Sequence, residues 1–414
     1  MNEEKRQIKQ QVKHLRKQGK RNKTTGSQIA LVVFLLLILC VATAGILLLA
    51  NGMKKDHKSA PTASGNIEIE TPQDTYVNFL AVGDVLFHEP VMDSGKKEDG
   101  SRNYNHLYQY VKADIEKADL AAANQETIFV TGNTFSGDPK FASPVEGADA
   151  LVQAGFDIVT HATNHTYDRG RDAILQTMNY WKTKHGKIAV LGIGDTPEAM
   201  RSIQVIEREG IRFAMLNYTE ITNCPTEGAN TLLNIWSSDK AKQDVAAAKE
   251  MADIVICFLH AGVEYSKAPG AKMQSYAKLL AELGVDVMIG AHPHVLQGCE
   301  MVKAANGNEM LAYYSLGNFV SRQKEVQCLL GGMADITFVK DVDTEEIYIK
   351  EYSMIPVVTH YGQDNTKDFA VYKLEDYTNE LAARHGIHAY TRDEFTVEAL
   401  KRLAEQAANG VIGQ

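Results

Sequence analysis

Residues 285–295 read VDVMIGAHPHV. A short apolar run, opened after Gly284 and closed by Pro293, has the length and composition of a fully buried strand. Pro293 cannot donate to a sheet ladder, so 292–294 is already loop. His292 and His294 are therefore free to converge on one place instead of alternating between faces. Ligands of open α/β sheets sit beyond the carboxyl ends of the strands, and this strand delivers two imidazoles there.

Working outward, apolar runs alternate with helical stretches. Strands are expected at 76–84, 119–126, 157–164, 187–194 and 253–260, with helices at 105–118, 144–155, 169–185, 238–252 and 271–283. Gly284 is placed to cap the last of these, whose apolar face carries Met273, Ala277 and Leu280. A hairpin-like pair, 202–207 and 212–220, is joined at Arg208-Glu209-Gly210. After 295 come strands without helices, at 298–304, 310–316, 333–339 and 345–357. Asn306-Gly307 supplies a hairpin turn between the first two. Residues 367–386 and 394–409 read as terminal helices. Repeated strand–helix units followed by a strand-rich tail predict an α/β layered fold with mixed sheets.

The other strands end in the same chemistry. The first stops in VGDVLFH, with Asp84 and His88, and the second in NQET, with Asn124 and Glu126. The third stops in HATNHTYDRG, with Asn164 and His165, and IVICFLH ends at His260. Carboxylates, imidazoles and an amide, with no thiolate, suit hard or borderline divalent metals such as Mn, Fe, Zn or Co. Seven ligands exceed one tetrahedral site and suffice for two ions sharing a carboxylate. Asp168 and Arg169 have a second reading as a helix start, where an aspartate is favoured. In SLGNFV (315–320), Gly317 allows a tight turn. Asn318 reads either as turn chemistry or as a hydrogen-bond support for the His-Pro-His loop.

The chain has 414 residues and a net charge of −9, unevenly spread. Residues 1–27 hold nine Lys/Arg and two acids, which leaves the remainder strongly acidic. An acidic body argues against nucleic acid as a partner. Ile29 to Ala50 carries no charge, and as a helix it would be about 33 Å long, enough to span a bilayer. The basic flank places the N-terminus in the cytoplasm and the body outside. The expected organisation is a basic cytoplasmic segment (1–28), a transmembrane anchor (29–50) and a flexible linker (51–75), then a main domain (76–360) and a C-terminal helical extension (361–414). Cys224, Cys257, Cys299 and Cys328 lack CxxC spacing, and no essential disulfide is expected.

The ordered set Asp84…His88, Glu126, Asn164-His165, His260 and His292-x-His294 resembles the calcineurin-like metallophosphoesterases. More closely, GDVLFH, NQE, TNHTYDRG, HAGVEY, GAHPHVLQG and YSLGNF resemble the CapA family of capsule synthesis and poly-γ-glutamate biosynthesis. The likeness runs from about 77 to 360. It departs from the general phosphoesterase pattern in spacing Asp84 and His88 as D-x-x-x-H and in using Glu126 as the bridging carboxylate. The resemblance implies an αββα sandwich with mixed sheets. It implies one ion on Asp84, His88, Glu126 and His294, and another on Glu126, Asn164, His260 and His292. His165 would be the general acid, oriented by Asp168, with Arg169 holding an anionic group. Asn124, Glu264, Tyr265 and Asn318 would support the ligands or line the substrate.

The expected function is that of a membrane-anchored, extracytoplasmic protein that makes, exports or anchors an anionic capsule polymer, with poly-γ-glutamate as the first candidate. Its partners would be the cytoplasmic membrane and the polymer or its membrane synthase complex. The alternatives are a dinuclear hydrolase of phosphoesterase type acting on cell-envelope substrates, and a non-catalytic scaffold of a membrane synthase complex.

Overall fold

The computed structural model describes residues 73–364 and 368–409. The basic segment, the expected span at 29–50 and almost all of the linker lie outside the described residues. Among the described residues no helix is long and apolar enough to cross a membrane.

Sixteen strands are described. They begin with β1 (Thr75–Val85), β2 (Leu120–Gln125), β3 (Phe129–Val130), β4 (Ser143–Pro144), β5 (Ile158–Thr160) and β6 (Ala189–Leu191). Next come β7 (Gln204–Arg208), β8 (Ile211–Thr219), β9 (Ile254–His260), β10 (Val287–Ala291), β11 (Leu296–Lys303) and β12 (Glu309–Leu316). The last are β13 (Asn318–Val320), β14 (Leu330–Lys340), β15 (Ile347–His360) and β16 (Ala370–Lys373). The first sheet runs β16-β15-β14-β1-β2-β5-β6, with β13 added alongside β1. The second runs β11-β12-β10-β9-β8-β7, and β3 pairs with β4. Both sheets are mixed: β1-β2-β5-β6 and β8-β9-β10-β12 are parallel, and the flanking strands are antiparallel.

Alternation along the strands makes the layers. Val77, Phe79 and Ala81 of β1 face Phe213 and Met215 of β8, Ile256 and Phe258 of β9, and Val287 and Ile289 of β10 in one core between the sheets. The intervening residues Leu80 and Val82 face outward with Leu151 and Trp181, which come from the helices Glu146–Ala154 and Gly170–Lys184. On the far side, Leu216, Cys257 and Leu259 pack against Val245 and Ala248, and against Met273, Ala277 and Leu280. Those residues sit on the helices Ser238–Met251 and Ala271–Leu283. The expected four layers, helices outside two sheets, are present.

Two expectations are corrected. Residues 105–118 are not one helix but a 3-10 turn, Asn105–Tyr108, and a short helix, Lys112–Lys117. The segment 361–414 is not wholly helical. Ala370–Lys373 forms β16, an antiparallel edge strand on β15 with Val358 opposite Tyr372. The alternation of AVYK was masked by the helix-forming residues that follow it. The four described cysteines are free.

Candidate metal centre

Two close backbone approaches bring the strand ends together. Gly317 has φ of +61°, and the Asp84 N–H donates to its carbonyl at 2.9 Å. A Cβ on Gly83 would stand 1.9 Å from that same carbonyl oxygen, so the chain tolerates no side chain there. In register, Asp84 sits beside Asn124 of β2 on one side and Asn318 of β13 on the other. In the second sheet, His260 at the end of β9 lies beside Ala291 of β10. His292 and His294 then leave the strand with φ of 97° and 60°. Left-handed backbone at two non-glycine residues is costly and is kept where the surroundings fix a functional geometry.

The side chains meet in one buried pocket. The Asn124 amide donates to Asp84 Oδ1 at 2.7 Å and accepts from the Thr160 hydroxyl at 2.7 Å. His294 Nδ1 lies 3.1 Å from Asp84 Oδ2 and 3.0 Å from Asn318 Oδ1. His260 Nε2 is 2.8 Å from Asn164 Oδ1. Glu126 stands in the middle, 1% exposed, with His260 at 3.6 Å and His294 at 3.7 Å. Neither of its carboxylate oxygens accepts a hydrogen bond, and the Nδ1 of His292 is likewise unpaired. Ligand atoms of Glu126, His292 and His294 all fall within 4.8 Å of one another.

This arrangement fits a cation. A desolvated carboxylate with no donor is expensive unless a positive charge compensates it. Burial pushes the Glu126 carboxyl well above its usual range, only partly offset by His294. Burial alone would lower His294, yet Glu126 and Asp84 outweigh it and push that imidazole up to about 9. Both shifts have one meaning: without a cation the pocket holds protons to limit its negative charge. Burial and the neighbouring His292 hold His260 well below its ordinary value, which leaves a neutral imidazole with an available lone pair. Burial likewise holds His292 down at about 4.

His88 lies at the margin. Its Nδ1 accepts from the Arg322 N–H at 3.3 Å, and its ring meets the edge of Phe141 at 5.3 Å. Burial and the charges of His294 and His165 lower it to about 3. His165 is buried, with Nδ1 2.7 Å from Asp168 Oδ2 and its ring edge-on to Phe141 at 4.7 Å. Asp168 also accepts from the Phe141 N–H at 2.8 Å. Its alternative role as a helix cap is not realised, because the helix begins at Gly170 after Arg169 without a side-chain cap. Arg169 is exposed and donates to the Ser136 hydroxyl and, at 3.0 Å, to the Lys140 carbonyl, so it latches the 136–140 loop.

Glu264 is exposed, and its charge reaches both Glu126 and His294. Tyr265 lies at the rim, its ring 6.1 Å from that of His294. Gln323 links them, donating to the Tyr265 hydroxyl at 3.4 Å while accepting from the Asn318 amide at 2.7 Å. Through its Oδ1 contact with His294 Nδ1, Asn318 supports the His-Pro-His loop directly.

Sequence reasoning missed Asn223, whose Nδ2 is 3.5 Å from both ring nitrogens of His165 and whose N–H donates to the Asn164 carbonyl at 2.9 Å. The signal was present. β8 is parallel to β9, so the residues that follow it also emerge at the site. Reading 212–220 only as a hairpin partner hid that end. His161 is the opposite case: it sits among the strand-end residues but accepts from Trp181 Nε1 at 3.0 Å, away from the pocket.

A match to the family described as bacterial capsule synthesis protein PGA_cap spans residues 78–323. The chain is 24% identical over 262 residues to the PGA biosynthesis protein CapA of Bacillus subtilis, covering 62% of this chain and 66% of that protein. It is also 24% identical over 295 residues to the capsule biosynthesis protein CapA of Bacillus anthracis, covering 68% and 66%. In both cases the chain spans slightly less than two thirds of the relative's length. Among solved structures, the calcineurin-like phosphoesterase YfkN from Bacillus subtilis aligns with 13% identity and a TM-score of 0.41, covering 82% of this chain and 99% of that one. The family match covers more than half of the chain and takes in all seven expected metal ligands: the protein belongs to the bacterial capsule synthesis family, PGA_cap.

Proposed function

We propose that the chain is a membrane-anchored, extracytoplasmic protein that takes part in making, exporting or anchoring an anionic capsule polymer, with two divalent cations of the Mn, Fe, Zn or Co class at its centre. The observation that carries the metal reading is Glu126, a buried carboxylate with no hydrogen-bond donor among imidazoles. Asp84, His88, Glu126 and His294 would hold one cation, and Glu126, Asn164, His260 and His292 the other. When bound, the cations would supply Lewis acidity and favour ionised water at neutral pH. The names of the Bacillus relatives support capsule biosynthesis and point to poly-γ-glutamate as the polymer. The uncharged run 29–50 behind a basic segment supports the anchored, external placement. A cationic centre would also offset the repulsion between an acidic body and a polyanion.

His165 favours a second reading, a hydrolase. Asp168 engages its Nδ1 at 2.7 Å, leaving Nε2 to exchange a proton with a leaving oxygen, which is the geometry of a positioned general acid. Asn223 and Phe141 hold the ring on two further sides.

Metal content and turnover separate the readings. The full-length protein is assayed for bound metal, then for hydrolysis of a generic phosphodiester and of poly-γ-glutamate, beside His165→Ala and Glu126→Ala. Bound metal with turnover that both variants abolish supports the hydrolase. Bound metal without turnover, together with capsule loss in a deletion strain, supports the biosynthetic role. Protein that retains no metal overturns the metal reading and leaves a scaffold of a membrane synthase complex.

A further inference from the structure

A cavity of about 430 Å³ opens at the free edge of the first sheet. Its walls come from β16, the end of β15, the turn after Asn105–Tyr108 and the helix Asn379–Arg384. No metal-centre residue lines it. Tyr110 and Tyr372, both lining residues, stack at 4.2 Å with their planes 20° apart. Gln109, Gln363, Arg384 and Asp368 also line the cavity. His360 lies at the inner end, its Nδ1 2.7 Å from the Tyr377 hydroxyl.

The charges are what distinguish this cavity. Arg384 and Asp368 both act on His360 and on Tyr372, so opposite charges reach the same two groups. Arg384 is exposed and so is Asp368, and neither forms an ion pair with a described residue. A simple anion would meet Asp368, and a simple cation would meet Arg384. An apolar ligand would leave two amides, a guanidinium and a carboxylate without partners. A ligand that carries both charges on a small frame satisfies all of them, and an ammonium also gains from the tyrosine faces. The volume lies within the range of roughly 300–1,000 Å³ usual for small-molecule sites.

We propose that this cavity binds an α-amino acid group, an ammonium and a carboxylate on one carbon, with Arg384 pairing the carboxylate and Asp368 the ammonium. Gln109 and Gln363 hydrogen-bond the rest of the ligand. Two sources carry this chemistry, and the choice of glutamate among amino acids rests on the capsule-polymer reading proposed above: a free amino acid such as glutamate, and the amino end of a γ-linked glutamyl chain. In such a chain only the first residue keeps its ammonium, so the cavity reads an end and not the repeat. The site is separate from the metal centre, and its success or failure leaves the metal reading untouched.

The test is calorimetric titration of the full-length protein with L-glutamate, D-glutamate, γ-glutamyl-glutamate and N-acetyl-glutamate. Glutamate of one or both hands and the γ-dipeptide bind, and N-acetylation weakens binding roughly tenfold or more, because it removes the charge that pairs Asp368. Arg384→Gln and Asp368→Asn each weaken binding by roughly the same factor. Both residues are exposed, and unchanged thermal midpoints show that the variants fold. Glu126→Gln leaves the dissociation constant unchanged, which keeps this site distinct from the metal centre. Tighter binding of the γ-dipeptide than of glutamate identifies a chain end, and equal binding identifies the free amino acid. The proposal is overturned if no probe binds at millimolar concentration, if N-acetyl-glutamate binds as tightly as glutamate, or if Arg384→Gln binds like wild type.

Discussion

Glu126 and its neighbour His294 show how one residue declares a ligand. In the metal-free protein the Glu126 carboxylate is desolvated and accepts no hydrogen bond, so its charge opposes folding. Glu126→Gln keeps the shape and removes the charge. The expected result is loss of bound metal by elemental analysis, with the metal-free form more stable than wild type by about 1–2 kcal/mol in urea denaturation. A metal-free variant less stable than wild type would mean that the carboxylate has a structural partner instead. Asp168 has two duties, orienting His165 and accepting from the Phe141 N–H. Asp168→Asn should cost about 1–3 kcal/mol of stability through the second. If the protein is a hydrolase, the first should lower kcat by about 10²–10⁴ with little change in KM. An equal fall in kcat for Asn223→Ala and Asp168→Asn would argue that ring placement alone matters.

At the scale of elements, the parallel pairing of β1 with β13 imposes a close backbone approach. Gly83 and Gly317 leave no room for a methyl group between Asp84 and Asn318, which lie side by side in register. Gly83→Ala is expected to lose more than about 4 kcal/mol or to fail to fold, beyond what an ordinary substitution costs. Gly100 has φ of +83° and open space around it, so Gly100→Ala should cost only about 1 kcal/mol, the backbone term alone. Soluble expression and urea midpoints compare the two; similar losses would refute the steric argument. Much at this scale was readable in sequence because strand ends are marked by breaks in apolar runs. His260 after IVICFL and His292 after VMIGA needed only the rule that ligands gather at carboxyl ends. Strand direction was not readable. Whether 212–220 merely paired with its hairpin neighbour or also ran parallel to β9 depended on a partner forty residues away, and Asn223 was lost with that choice. β16 was lost because four alternating residues carry less signal than the helix formers beside them. His161 and His165, four residues apart, face Trp181 and Asp168 respectively, and no periodicity separates those fates.

For the whole molecule, buried histidines set the acid limit of stability; in metal-free protein His88, His260 and His292 share in it, and three more lie outside the metal centre. Burial lowers His161 to about 3, His385 to about 3 and His360 to about 4. Each is held by neutral chemistry: Trp181 donates to His161, the Ile387 N–H donates to His385, and the Tyr377 hydroxyl meets His360. In the folded state they stay neutral, whereas in the unfolded chain they take up protons below about 6.5. The unfolded state therefore binds more protons as pH falls, and stability drops with it. Each such histidine contributes about 1.4 kcal/mol per pH unit once pH is well below 6.5. Three together remove roughly 3 kcal/mol between pH 6.5 and 5.5, before the folded values are approached. His294 has the opposite sign, since its raised value makes its contribution largest below 6.5 and lost as pH rises through about 9. Bound metal would add to stability at neutral pH and be displaced by protons in acid, which steepens the same limb. The expected observation is a urea midpoint that falls steadily from pH 7 to 5 in metal-free protein. His161→Gln, which keeps an acceptor for Trp181, should reduce the slope of unfolding free energy by one histidine's share, about 1.4 kcal/mol per pH unit. A midpoint flat over this range would mean that these imidazoles are solvated in the folded chain, and the packing described around Trp181 and Tyr377 would then be wrong.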